Sequence, residues 1–67
     1  MKNKYVVIYE PDGDNWMVTI PGSPNGVHCV TWGSSIAQAR GRAREALAAC
    51  LDDEAAATAA VFVERFA

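Results

Sequence analysis

Near its start the chain carries a run that is apolar at almost every position. KYVVIYE, Lys4 to Glu10, puts Tyr5, Val7 and Tyr9 on one parity and Val6 and Ile8 on the other. The β-branched and aromatic content predicts a strand, and apolar groups on both faces predict a central one covered on two sides. PDGDN, Pro11 to Asn15, is turn chemistry. WMVTI, Trp16 to Ile20, is the returning strand of a hairpin. Its parity separates Trp16, Val18 and Ile20 from Met17 and Thr19, without saying which set faces the core. PGSPNG, Pro21 to Gly26, predicts a broad irregular turn. HCVTW, His28 to Trp32, predicts a third antiparallel strand, which Gly33 breaks.

After Gly33 the period changes from that of a strand to that of a helix. Ser35-Ile36-Ala37-Gln38 fits a capping box, with the serine oxygen accepting from the Gln38 N–H and the Gln38 side chain reaching back to the Ser35 N–H. Ile36, Ala39, Ala43, Ala46, Leu47, Cys50 and Leu51 then share one face. Most are small, so the helix can sit close on a sheet. Arg40, Gly41, Arg44, Glu45 and Ala48 lie on the flanks or away. Gly41 costs about 1 kcal/mol against alanine there, so either stability is spare or something approaches the backbone. Over Asp52 to Ala59 the alanines favour a longer helix, whereas the acids Asp52, Asp53 and Glu54 oppose the helix dipole and place its end near Asp53. AVFVERF, Ala60 to Phe66, predicts a last strand with Phe62 and Phe66 on one face and Val61 and Val63 on the other.

The predicted fold class is α+β, in the order β-β-β-α-β. It is a single domain over residues 1–67, a four-stranded mixed sheet with one helix packed on one face. A helical crossover returns the last strand parallel to the first. The other sheet face keeps large apolar groups and has no second helix to cover them. On a small chain this predicts cover by another chain, in a homodimer or higher homo-oligomer. The length points the same way, since a chain of 67 residues buries only about 60% of its unfolded surface.

Composition narrows the function classes. Two cysteines and one histidine lack the paired spacing of a zinc site, so no metal and no cofactor is expected. The apolar run from Tyr5 to Tyr9 is too short for a signal segment or a membrane span, so the expectation is a cytoplasmic chain with reduced thiols and no membrane partner. A net charge of −2 argues against a dedicated nucleic-acid binder, which needs a concentrated basic face. The charge is uneven: −1 over residues 1–35, +2 over 36–51 and −3 over 52–67.

No catalytic constellation emerges. Glu10, Asp12 and Asp14 crowd a hairpin turn, where Asp is favoured for local bonding, rather than converging on two metal ions. His28 and Cys29 are adjacent on a strand and point to opposite faces, so they do not form a nucleophile and its base. Cys50, on the helix's apolar face, reads as a small hydrophobe. Arg40 and Arg44 share a face from which Arg42 diverges, and two arginines make a thin phosphate site. A solvated outer face or an ion-pair contact with an acidic partner remains for them. The candidate interface residues are therefore the aromatics Tyr5, Tyr9, Trp16, Trp32, Phe62 and Phe66, with His28, Arg40 and Arg44. Some of the aromatics must also fill the core. The chain is expected not to be an enzyme.

From Tyr5 to Leu51 the sequence resembles the N-terminal domain of HicB-like antitoxins. The resemblance rests on the turn Asp12-Gly13-Asp14, the strand-ending Pro21, the turn Thr31-Trp32-Gly33 into the helix, Ser35 at the capping position, and the helix pattern Gln38-Ala39-Arg40-Gly41-Arg42-Ala43-Arg44-Glu45-Ala46-Leu47. The loop after Pro21 is longer than the family's, and Ala37-Gln38 stands where the family has an acidic pair. The resemblance implies a partial RNase H-like fold, catalytically silent, that binds and sterically inhibits a HicA-like mRNA-cleaving toxin in a type II toxin-antitoxin system. Full-length HicB proteins usually add a C-terminal DNA-binding domain. This chain ends at Ala67 without one, so no direct DNA binding is expected. The alternative is a standalone self-associating HicB-like domain that binds another protein or a small molecule, with no toxin partner.

Overall fold

The computed structural model describes residues 4–21 and 28–67. The irregular turn expected after Pro21 lies, over residues 22–27, outside them. The elements are β1 (Lys4–Asp12), β2 (Asn15–Ile20), β3 (Cys29–Gly33), α1 (Ile36–Leu51), α2 (Glu54–Ala59) and β4 (Val61–Phe66). They form one mixed sheet in the order β3-β2-β1-β4. β1 pairs antiparallel with β2 and parallel with β4, and β2 pairs antiparallel with β3. The fold is α+β, with strand, strand, strand, helix and strand in the expected order.

The hairpin is tighter than the sequence suggests. Asp12 pairs with Asn15, so the loop is only Gly13 and Asp14, and Pro11, Asp12 and Asn15 belong to the strands. Gly13 has φ +62° while Asp14 stays on the negative side. Glycine at the first central position is what a two-residue type II′ turn requires. Pro11 has a second effect. The Ala67 N–H donates to the Tyr9 carbonyl at 3.0 Å, and the next bond of that parallel ladder would need an N–H at residue 11. Proline supplies none, so β1–β4 pairing stops there.

The core lies between the sheet and α1. Tyr5, Val7, Tyr9, Val18, Ile20 and Cys29 from the strands meet Ala39, Ala43 and Leu47 from the helix, with Ala57 and Ala60 closing one end. The set Trp16, Val18 and Ile20 is thus the one under the helix. β1 is central, but only one of its faces is covered. Val6 and Ile8 are half-exposed on the other, which corrects the expectation of cover on two sides.

Gly33 does not break β3. It is the last strand residue, paired with Trp16 and buried where α1 comes down on the sheet. A Cβ there would sit 2.5 Å from the Ala39 nitrogen and 2.7 Å from its Cα. The Ser35 hydroxyl accepts from the Gln38 N–H at 3.1 Å, as expected. The Gln38 side-chain Oε1 instead accepts from the Ser34 N–H at 2.6 Å and the Ser34 hydroxyl at 2.8 Å, one residue before the expected Ser35 N–H.

The acidic cluster is a junction rather than an end. Asp52 takes the left-handed conformation at φ 52° and caps α1, and its N–H bonds the Ala49 carbonyl. Asp53 then caps a second helix, its carboxylate accepting from the Ala56 N–H at 3.0 Å. Charge opposing the first dipole supports the second, since an acid at a helix N-terminus is favourable. Cys50 is exposed rather than on the buried face.

Candidate protein-interaction face

Arg40 forks onto Glu64 of β4, with Nε donating to Oε2 at 2.7 Å and the second guanidinium nitrogen to Oε1 at 3.1 Å. The Tyr9 hydroxyl, coming from the buried face of β1, donates to the same Oε2 at 2.6 Å. Arg44 donates to the carbonyls of Ala57 and Ala60 at 2.8 and 3.0 Å, and its guanidinium stands 4.2 Å over the Phe62 ring. Both side chains bind the layer of helices to β4. Each makes two hydrogen bonds inside the chain, Arg40 to a carboxylate and Arg44 to the carbonyls at the end of α2. Arg40 and Arg44 thus have partners within the chain, and the Arg40 side chain is still 52% exposed.

The same cluster sets a pH dependence. The Arg40 guanidinium, then the Tyr9 hydroxyl, hold the Glu64 carboxyl below its ordinary value of 4.5. Burial, then Glu64, push the Tyr9 phenol above its ordinary value of 10.0. A lowered acid contributes stability that is fully present above pH 4.5 and is lost as pH falls through the folded value. A raised phenol contributes stability that is fully present below pH 10.0 and is lost as pH rises towards its folded value. Urea midpoints followed against pH are expected to fall on both sides of this window. Glu64→Gln should lower the plateau and flatten the acid limb. An acid limb as steep as that of the parent chain would contradict the assignment.

The second sheet face has a different character. Register places Val6 beside Val63, Met17 between Glu10 and Trp32, and Ile8 and Thr19 side by side between Arg65 and Val30. Val30, Trp32, Val61 and Val63 are 43%, 48%, 36% and 38% exposed. The Trp32 Nε1–H donates to Asp12 Oδ2 at 3.1 Å. Asp12 is on β1 and Trp32 on β3, so the indole lies across β2 and is held flat against the sheet. Apolar side chains from all four strands thus form one surface. Along β1 its charges sit apart, with Glu10 and Asp12 at one end and Lys4 at the other, and Arg65 lies at the β4 edge beside Ile8.

No family model matches the sequence, and no curated protein or solved structure matches it significantly. The site therefore rests on this chain's own geometry.

The aromatics divide between the two faces. Tyr5 and Tyr9 are buried core residues, because odd positions of β1 face the helix, and they are not surface contacts. Trp16 and Phe62 are partly buried against the core. Trp32 lies on the open face. Phe66 is 56% exposed at the rim of the helix side and stacks on Tyr9 at 5.0 Å between centroids. His28 is exposed just before β3. The aliphatic half of the face, Val6, Ile8, Met17, Val30, Val61 and Val63, escaped the sequence reading. A signal for it exists. On β3 one parity is small, Cys29, Thr31 and Gly33, and the other is large, Val30 and Trp32. On β3 the small parity is the one α1 comes down on, at Gly33 against Ala39. Among the described residues, no three metal-ligating side chains cluster, and no helix is long and apolar enough to cross a membrane.

Proposed function

We propose that this chain is a non-enzymatic, cytoplasmic protein-binding domain of the HicB antitoxin kind. It self-associates through its open sheet face and neutralises a small basic HicA-like mRNA-cleaving toxin by covering the toxin's RNA site. The observation that carries the reading is the one-sided sheet. A face with an apolar centre drawn from four strands is unusual on a small chain unless something covers it. The β-β-β-α-β order with β4 parallel beside β1 agrees with what the sequence resemblance implies.

The occupant of the face is a second copy, and charge complementarity argues for it. Two sheets stack at about 30° between strand directions. A half-turn about an axis parallel to the sheet, roughly 5 Å above its open face and passing over β1 between Val6 and Ile8, lays β1 antiparallel over its counterpart. Lys4 of each copy then faces Glu10 and Asp12 of the other, and Val6 and Ile8 meet at the axis. The surface around the junction of α1 and α2 is left outward. There Glu45, Asp52, Asp53 and Glu54 surround a groove of about 500 Å³, the sign of charge that steers a basic protein. The net charge of −2 weighs against nucleic acid as the partner.

Co-expression with the product of the neighbouring reading frame tests the reading. A short basic protein is expected to co-purify with this chain, and this chain to restore growth when that protein is toxic. A chain that self-associates but neither binds nor rescues would overturn the antitoxin reading and leave a standalone self-associating domain.

A further inference from the structure

Cys29 and Cys50 are distant in sequence and neighbours in the fold. Cys29 opens β3, opposite Ile20, and is buried, whereas Cys50 is exposed in the last turn of α1, and both are free thiols. The Cys29 thiol points at the Ala46 carbonyl oxygen, 3.9 Å from its sulfur. In a continuous helix that carbonyl accepts the N–H of the residue four positions on, which is Cys50. One oxygen thus faces both the Cys29 sulfur and the Cys50 backbone N–H, which sets the Cys29 thiol against the helix turn that carries Cys50.

We propose that Cys29 and Cys50 form a reversible dithiol–disulfide pair, a redox modification site whose co-substrate is a low-molecular-weight disulfide such as oxidised glutathione. The exposed Cys50 attacks first. Its thiolate bonds to one sulfur of the oxidised glutathione and expels the other half as a glutathione thiolate. Cys29 gives its proton to solvent and attacks the Cys50 sulfur, expelling the second glutathione. The protein loses two electrons and two protons, and one glutathione disulfide becomes two glutathiones. A dithiol reductant reverses both steps.

Burial, then the neighbouring Cys50, push the Cys29 thiol up to about 12. The second step therefore accelerates as pH rises, because its attacking thiolate becomes more abundant. The bond would join the start of β3 to the end of α1 across the loop that holds Gly33 and the Ser35 cap. Such a cross-link restricts the unfolded chain.

The inference does not depend on the partner reading, and the test uses the full chain with oxidised glutathione. The intact mass is expected to fall by two hydrogen atoms, with no free thiol left to alkylate. The melting midpoint is expected to rise by roughly 10 °C, and dithiothreitol should reverse both changes. Cys29→Ala should stop at a glutathione adduct on Cys50, and Cys50→Ala should leave Cys29 unmodified. A parent chain that stops at the Cys50 adduct, or that cross-links between molecules through Cys50, would overturn the proposal.

Discussion

Replacing Gly33 with alanine is expected to lower folding stability by about 3 kcal/mol, a large share of what a domain of this size has. A Cβ at residue 33 would lie 2.5 Å from the Ala39 nitrogen, 2.7 Å from its Cα and 3.0 Å from its Cβ. These are not the ends of flexible side chains. The Ala39 N–H is bonded to the Ser35 carbonyl at 2.8 Å, and the first turn is pinned by its cap. Relief requires lifting the helix from the sheet, which uncovers Ala39, Ala43 and Leu47. Gly41 is the internal control, because a Cβ there meets nothing within 4 Å. The sequence left open whether something approaches that backbone, and nothing among the described residues does. Gly41→Ala should therefore be neutral or stabilise by up to about 1 kcal/mol. Urea denaturation of the two variants beside the parent checks both. A Gly33→Ala midpoint equal to the parent's would contradict the close contact.

Ile8→Lys is expected to weaken self-association by about 100-fold while leaving the monomer folded. Ile8 is on the parity of β1 that faces away from α1, so its replacement leaves the core intact. In a single chain the lysine stem can lie on the sheet with its ammonium in water. In the proposed pair, two like charges would be buried close to the symmetry axis. A charge swap tests the geometry itself. Lys4→Glu alone places three acids together and should weaken the pair, as should Glu10→Lys. The double variant restores opposite charges across the axis and should recover much of the affinity. Lys4 and Glu10 are six residues apart on one strand, roughly 20 Å, so recovery cannot come from a contact within the chain. Sedimentation equilibrium with circular dichroism separates lost pairing from lost folding. Single and double variants that pair as tightly as the parent would remove the charge argument.

Much of this fold is legible in local pattern. Alternation in WMVTI, the Asp12-Gly13 turn and the Ser35 cap each specify geometry within a few residues. The second helix was equally local, since Asp53 before Glu54 and three alanines is a helix start. It is hidden only because Asp52 ends the previous helix one residue earlier. What local pattern does not contain is which carboxylate an arginine meets. Arg40 and Arg44 share a helix face, but Glu64, Ala57 and Ala60 reach them only through the crossover that sets β4 beside β1. The same holds for Cys29 and Ala46, and for Tyr9 and Glu64, which are joined by tertiary contact alone. The open face was inferred from the lack of a second covering element, while its composition needed the register.

Pairing of the uncovered sheet face with a second copy, as proposed, is tested by the mass of the purified chain in solution by sedimentation equilibrium, with Ile8→Lys run alongside. The parent is expected at the mass of two chains and the variant at the mass of one. A single-chain mass for the parent at every concentration would contradict it.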